Sequence, residues 1–281
     1  MTSMSRQPPY QPREECELLD YLTSLYRNVF TEEAIRAHLV NHVGYPVAEY
    51  GLGVVTPLLA RGARILDVGA GFGSFVLLAR EAGFDATGVE IAPFEVEFAR
   101  QRLARIRPQD DPQTVYRVAD ATRLALPAQS LDAVTFWNLF EHVENVEPLI
   151  AFAARALAPG GYAFIVCPNY AARRDEAHYH VPWNPELRHD RSAAIAYLRG
   201  LGRDAGFFET SIFCRTNTEV LGLLRKHAFH LIDIDGLTPM SPTLANLPGL
   251  IRNWRQVRSF YDPERPSVLV AGRKRGARAA A

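Results

Sequence analysis

Cysteine is scarce in this 281-residue chain. Cys16, Cys167 and Cys214 are its only three, too few and too scattered for a disulfide framework or a paired-cysteine metal site. That usage points to a reducing compartment, and a cytoplasmic location is the expectation. Lysine is scarcer still, with Lys226 and Lys274 against 29 arginines, a compositional bias to which no binding role is assigned. No apolar run approaches the roughly 18–20 residues that cross a bilayer. The polar stretch from Met1 to Pro12 lacks the apolar segment of a signal peptide, so neither secretion nor membrane insertion is expected. Net charge is missing too: 31 Lys+Arg balance 31 Asp+Glu, which argues against wholesale attraction to nucleic acid or an anionic surface. The balance conceals a pattern. Residues 1–50 carry four Arg against seven acids, residues 51–250 carry nineteen bases against twenty-two acids, and residues 251–281 carry eight bases against two. What remains is a 48% hydrophobic share, enough to bury a full core as two domains or one α/β domain with additions.

From Glu14 to about His42 apolar residues recur at helical spacing (Leu18, Leu22, Leu25, Val29, Ile35, Leu39), and Thr31 is placed to cap a second helix. Gly44, Pro46, Gly51 and Gly53 then interrupt the pattern, and a helix is predicted from Val54 to Ala60. Beyond it, strand and helix signals alternate in the manner of a parallel sheet. Strands are predicted over Arg64–Val68, Asp85–Val89, Val115–Val118, Leu131–Phe136, Gly161–Cys167, His230–Ile234 and Ser267–Ala271. Helices are predicted over Ser74–Glu81, Pro93–Ile106, Val146–Ala156 and Thr218–His227. Two stretches break this rhythm, residues 169–216 and residues 236–266, the second holding five prolines. Loops of that length in an α/β domain are usually lids or substrate-binding additions.

Most informative is Ile65-Leu66-Asp67-Val68-Gly69-Ala70-Gly71-Phe72-Gly73-Ser74. An apolar strand runs into a glycine turn that opens a helix, so backbone N–H groups face whatever lies above the strand end. A dinucleotide fingerprint requires G-x-G-x-x-G, whereas here Ser74 takes the third position and the glycines alternate at 69, 71 and 73. Seventeen residues after Gly73 the second strand ends in Glu90, a carboxylate able to accept hydrogen bonds from both hydroxyls of a ribose. Asp120-Ala121 follows the third strand, Asn138 stands at the exit of the fourth, and Leu157-Ala158-Pro159-Gly160-Gly161 supplies a turn before the fifth.

In order and spacing, these segments between Arg64 and Pro168 resemble motifs I to V of the class I S-adenosylmethionine-dependent methyltransferases. The resemblance implies a doubly wound, seven-stranded, mostly parallel Rossmann-like α/β sheet whose last strand is antiparallel. It further implies that Asp67, Gly69, Ala70, Gly71 and Gly73 surround the methionine end of S-adenosyl-L-methionine and that Glu90 holds the ribose. Ile91 would cover an adenine face, Asp120 and Ala121 would meet the adenine edge, and Asn138 would stand beside the transferable methyl. Blander roles stand beside these: Asp120 as a turn residue, Asn138 satisfying backbone groups, and His142 as a structural helix-start residue. The implied organisation is a helical cap at 1–53, a cofactor-binding core at 54–168, a first lid at 169–216, and a completion of the core at 217–281 with a second lid at 236–266.

The first lid leaves the C-terminal end of the fifth strand, where open α/β sheets bind ligands, and it contains Glu176, His178 and His180. On an extended backbone these three share a face, so that Glu176 orients His178 as a general base while Tyr179 and Trp183 form apolar walls. The same groups also suit a divalent metal or a lid merely pinned by buried side chains. No metal is assigned, because no second acidic cluster accompanies them. His42 and Tyr45 end the helical cap as further candidates for the cofactor or acceptor. In the second lid Arg252, Arg255 and Arg258 stand at helical spacing beside Trp254 and Tyr261, a solvated face or a contact to an anionic acceptor. No nucleic-acid module accompanies them.

The expected activity is methyl transfer to a small-molecule acceptor, first at the oxygen of a sugar or biosynthetic-intermediate hydroxyl. Carbon methylation of an isoprenoid, quinone or polyketide-like acceptor is the alternative, and a non-catalytic cofactor-binding regulatory subunit the third reading. Neither nucleic acid nor membrane is expected as a partner, and the sequence assigns no oligomeric state.

Overall fold

The structure is a computed structural model that describes residues 8–27, 29–234, 238–239, 262, 265 and 267–275. Most of the second lid predicted over 236–266, including Arg252, Trp254, Arg255, Arg258 and Tyr261, lies outside the described residues.

The chain opens with helices α1 (Pro12–Leu25) and α2 (Glu32–His38), a π-helical turn over Leu39–Val43, and α3 (Pro46–Val55). Thr31 caps α2 as its residue type predicts, its hydroxyl accepting from the Ala34 amide at 3.2 Å. Strand β1 (Arg64–Val68), α4 (Ser74–Glu81), β2 (Asp85–Glu90), α5 (Pro93–Ile106), the short α6 (Pro112–Val115) and β3 (Tyr116–Val118) follow. Next come β4 (Leu131–Trp137), α7 (Glu147–Ala156) and β5 (Leu157–Pro168). The stretch after β5 holds a hairpin of β6 (Asp175–Glu176) and β7 (Val181–Pro182), then α8 (Arg191–Gly200) and α9 (Gly206–Ser211). Helix α10 (Asn217–Lys226), β8 (Phe229–Asp233), β9 (Thr238–Pro239) and β10 (Ser267–Lys274) complete the sheet.

The sheet order is β3-β2-β1-β4-β5-β10-β8-β9. Strands β1, β2, β3, β4 and β5 pair in parallel, and β10 runs antiparallel between β5 and β8. The seven expected strands are therefore present, with the two-residue β9 added at one edge. On one face α7 and α10 pack Ile150, Phe152, Val220 and Leu224 against the sheet. The other face is covered by α3, α4 and α5 through Val55, Phe75, Leu78 and Leu103. Strands sheathed on both sides are mostly apolar; β4 reads Leu-Asp-Ala-Val-Thr-Phe-Trp, its two polar residues paired, Asp132 with Arg64 at 3.0 Å and Thr135 with Asp67 at 2.6 Å.

The helix predicted over Val54–Ala60 is displaced: α3 runs from Pro46 to Val55. Proline favours the first turn of a helix, where its missing N–H costs nothing, and Gly51 lies inside the helix rather than ending it. A side chain on Gly51 would come within 3.1–3.2 Å of Phe75 and Trp137, so this glycine serves a close helix contact.

Two smaller cores position the site. Leu18, Leu22, Ile35 and Val43 of the N-terminal helices pack with Phe72 and Phe98. Arg102 of α5 is fully buried beneath them, donating to the carbonyls of Val43 (2.8 Å) and Phe72 and to the Ser74 hydroxyl (2.9 Å). One guanidinium thus ties the cap to the glycine loop. Residues 169–216 build a core from Tyr170, Tyr179, Trp183, Leu198 and Phe208, joined by Val29.

Candidate active site

Strand order reverses between β1 and β4, the switch point at which open α/β sheets form a crevice. A cavity of about 860 Å³ opens there, walled by the glycine loop, the ends of β2 and β4, the N-terminal helices and the turn of the β6–β7 hairpin.

Asp67 ends β1 fully buried and accepts from the Thr135 hydroxyl at 2.6 Å. Burial pushes its carboxyl up to about 7, against the pull of that hydrogen bond, and the charge of Glu90 adds to the rise. Gly69, with φ 73°, leaves no room for a side chain, since a Cβ would stand 2.8 Å from Leu139. Ala70 and Gly71 line the cavity with Gly69. Gly73 lies between Phe72 and Ser74 of the cavity wall, and its left-handed backbone (φ 75°) starts α4 against the Tyr116 ring and Ala99.

Glu90 is held by three backbone amides: Ile91 (2.6 Å) and Ala92 (3.1 Å) on one oxygen, Gly71 (3.2 Å) on the other. Ile91 stands beside it at the cavity, 72% exposed although apolar. Asp120, Ala121 and Asn138 also line the cavity. The Asp120 carboxylate caps the following turn, accepting from the Thr122 amide (2.9 Å) and hydroxyl (2.7 Å). Asn138 has a left-handed backbone (φ 49°), and its amide donates to Val166 at 2.8 Å.

The extended backbone on which residues 176, 178 and 180 would share a face is not found. Residues 177–180 form the turn of the β6–β7 hairpin, with His180 at φ 51°. Glu176 makes the turn: its Oε2 accepts from the amides of His178 (2.8 Å) and Tyr179 (2.7 Å), a carboxylate bending the chain back on itself. The pair foreseen at 176 and 178 nonetheless meets, with His178 Nδ1 3.0 Å from Glu176 Oε1, which also accepts from the Tyr170 hydroxyl at 2.7 Å. Burial pushes the Glu176 carboxyl up, but the His178 hydrogen bond and charge, with the donors from Tyr170 and Tyr179, outweigh it and hold the group at about 2. His178 and His180 line the cavity, whereas Glu176 lies behind them. Tyr179 and Trp183 are not walls. Both are buried in the small core under the hairpin, because the turn directs them away from the cavity.

Of the remaining wall residues, the sequence singles out His42 as a candidate for cofactor or acceptor and His142 as a structural residue, but not Glu95, His38 or Glu141. Glu95 faces the glycine loop and accepts from the Tyr21 hydroxyl at 3.0 Å; burial, then the charge of Glu90, raises it to about 7. Its position in the first turn of α5 reads equally well as a helix-dipole partner, which hides it. His38 and His42 stack at 4.2 Å over the cavity, and their four-residue spacing on helical sequence was the available signal. Burial lowers both, His38 to about 3. Glu141 and His142 follow β4 on a short 3-10 turn and also reach the cavity. Burial raises Glu141 to about 7 and lowers His142 to about 4, the latter aided by the charge of His178. Five of the chain's eight histidines therefore face one cavity.

A family model of a methyltransferase domain matches residues 47–209, more than half of the chain, and the chain belongs to that family. A demethylmenaquinone methyltransferase of Tropheryma whipplei (strain Twist) is 31% identical over 144 residues, 49% of this chain and 57% of that protein. A ubiquinone biosynthesis O-methyltransferase of Xanthomonas oryzae pv. oryzae is 37% identical over 105 residues, 37% of this chain and 42% of that protein. The chain thus spans about half the length of these curated relatives. A solved structure from Thermotoga maritima, described as an S-adenosylmethionine-dependent methyltransferase and possible histamine N-methyltransferase, has a TM-score of 0.51 at 18% identity. The match covers 91% of this chain and 99% of that one, a likeness of fold. The class I methyltransferase resemblance and the doubly wound sheet read from the sequence both hold. Among the described residues no helix is long and apolar enough to cross a membrane.

Proposed function

We propose that this protein transfers a methyl group from S-adenosylmethionine to a hydroxyl of a small-molecule acceptor. The observation that carries the reading is the convergence on one cavity of a glycine loop, the amide-held carboxylate Glu90 and an imidazole, His178, backed by a buried carboxylate. The cavity wall suits the cofactor's donors: the carboxyl groups of Asp67, Glu90, Glu95 and Glu141 line it, acceptors for an ammonium and for ribose hydroxyls. About 860 Å³ lies toward the upper end of the ~300–1,000 Å³ usual for ligand pockets, room for cofactor and acceptor together.

Bound there, S-adenosylmethionine supplies an electrophilic methyl, whose bond to sulfur breaks with the electron pair passing to sulfur. Glu90 accepts the ribose hydroxyls in place of some of its present backbone donors. The loop at Gly69, Ala70 and Gly71, with Asp67 beneath it, holds the methionine end, while Ile91, Asp120 and Ala121 border the adenine. His178 Nε2 takes the acceptor's hydroxyl proton as the oxygen–carbon bond forms, and Glu176 holds the ring in the tautomer that leaves Nε2 basic. The cap at 1–53 and the lid at 169–216 serve this core at 54–168 by walling the acceptor away from water, which favours an in-line displacement.

The named activities of the two relatives support a quinone-type aromatic acceptor. The aromatic walls Tyr26, Phe30, Phe75 and Trp137 favour a second reading, transfer to a ring carbon of such an acceptor. Isotopically labelled cofactor, offered with phenol, catechol, sugar and quinol acceptors, tests the proposal: the product's NMR spectrum distinguishes O-methyl from C-methyl. Binding of cofactor with no product from any acceptor class would instead support a regulatory subunit.

A further inference from the structure

Beside His178 stand two side chains with no part in the proton transfer above, Glu141 and His142. The three residues each present one ligand atom, and those atoms lie within 4.8 Å of one another. Glu141 is 2% exposed, yet its Oε2 has no hydrogen-bond partner. Buried acceptors are almost always satisfied, so this oxygen marks a place where a cation or donor belongs. Arg173, whose charge reaches Glu141, is engaged with Asp175 at 2.7 Å.

The imidazoles are oriented from behind. His142 Nδ1 lies 2.8 Å from the Ser211 carbonyl, and His178 Nδ1 lies 3.0 Å from Glu176 Oε1. Both partners are acceptors, so each Nδ1 carries the proton and each Nε2 keeps its lone pair. The rings stand 5.0 Å apart at 75°. Histidine ligands whose second nitrogen donates to a carbonyl or carboxylate are the usual arrangement at metal centres, where that outer partner fixes tautomer and ring orientation.

We infer that Glu141, His142 and His178 form a binding site for a divalent transition-metal ion of the zinc type, open on its remaining side to the cavity. Two imidazole nitrogens disfavour magnesium and calcium, which take oxygen ligands. In a tetrahedral site with bonds of about 2.0–2.1 Å the ligand atoms stand roughly 3.3 Å apart, so the three side chains need close by only about 1–1.5 Å. The site deepens the proposed activity, and only its consequence for turnover rests on that reading. A hydroxyl on the open position is acidified and releases its proton to solvent buffer. His178 is then a ligand in the loaded protein and a base in the metal-free one.

The test is titration of cobalt(II) into the chelator-treated full chain without cofactor or acceptor, read by visible d–d absorption and by calorimetry. One ion per chain with an intense low-coordination spectrum is expected. Glu141→Gln and His142→Ala should each weaken binding at least about tenfold, and Glu176→Gln by about 10- to 100-fold. His189→Ala, at an exposed histidine outside the cavity, should leave binding unchanged. Should a variant fail to fold, the imidazole NMR signals of the unsubstituted chain under zinc serve instead, and those of His142 and His178 should shift together. Absence of stoichiometric binding, binding undiminished by Glu141→Gln and His142→Ala, or unmoved imidazole signals would overturn the inference. Because nothing in this test depends on turnover, cobalt binding without methyl transfer would sink only the proposed activity, and transfer without cobalt binding only the metal site.

Discussion

Glu90→Gln probes the cofactor side of the site with little change of shape. The carboxylate accepts from Ile91 and Ala92 through one oxygen and from Gly71 through the other. Glutamine offers a single oxygen, so whichever way the amide turns, its NH2 group faces an N–H. If the oxygen stays on Ile91 and Ala92, the glycine loop loses its contact at Gly71; if it turns, two amides lose theirs. In the proposed complex the same oxygens would accept from the ribose hydroxyls. The variant therefore exchanges at least one charge-assisted hydrogen bond for a neutral or missing one, and such bonds contribute about 1.5–3 kcal/mol. Affinity for S-adenosylhomocysteine, measured calorimetrically, should fall by roughly 10- to 150-fold, while circular dichroism and the thermal midpoint confirm a folded protein. An unchanged affinity in the folded variant would refute the assignment of Glu90 and the placement of the ribose at the end of β2.

Three further outcomes follow from the geometry. Gly73→Ala places a Cβ 2.7 Å from the buried Tyr116 ring and 2.8 Å from Ala99 at φ 75°. The left-handed backbone and the overpacking together should cost about 2–4 kcal/mol in urea denaturation, and a loss below about 0.5 kcal/mol would show that the loop relaxes freely. His178→Ala in metal-free protein should lower the rate at saturating acceptor by about 10²–10⁴-fold with little change in cofactor affinity; an unchanged rate across pH removes the base. His38 stays neutral down to about 3 in the folded chain, whereas an unfolded histidine takes up a proton near 6.5. Its contribution to stability is then full above about 6.5 and is lost as pH falls below that. Asp67, Glu95 and Glu141, raised to about 7, act with the opposite sign, so the comparison is with His38→Asn. Between pH 6.5 and 4.5 the unsubstituted chain should lose up to about 1.4 kcal/mol per pH unit relative to the variant, and parallel curves would contradict the burial of that imidazole.

The sheet was legible in the sequence because short apolar-rich segments closed by turn residues alternate with helical spacing. The helices α4 and α5 begin and end at the predicted residues, Ser74–Glu81 and Pro93–Ile106. Where reading failed, a tertiary contact had overridden a local signal. Gly51 resembles a helix breaker until the ring of Phe75 and the indole of Trp137 are seen to occupy the space of its missing side chain. The shared face considered for residues 176, 178 and 180 presupposed an extended backbone, because alternation of titratable groups says nothing about a carboxylate that captures two amides of its own turn. The residues that the resemblance assigns to the cofactor, Asp67, the glycine loop, Glu90, Asp120 and Asn138, stand at or just beyond strand ends, which is why their place at the cavity was legible. Another part of the wall is assembled from His38 and His42 of the cap, Glu95 of α5, and Glu141 and His142 after β4. Apart from the four-residue spacing of His38 and His42, no spacing along the chain announces that these residues meet, since the cap is held to the glycine loop by a buried group, Arg102. A chain balanced in charge overall encloses a cavity lined by carboxylates and imidazoles.

The central claim is that one cavity holds S-adenosylmethionine against the glycine loop and an acceptor against His178. A crystal structure of the chain with S-adenosylhomocysteine tests it most directly. The ribose hydroxyls should lie on Glu90, the amino-acid end over Gly69 to Gly71, and the sulfur should be directed toward Asn138 and the imidazole of His178. A ligand lying elsewhere, or a sulfur directed away from the imidazoles, would contradict it.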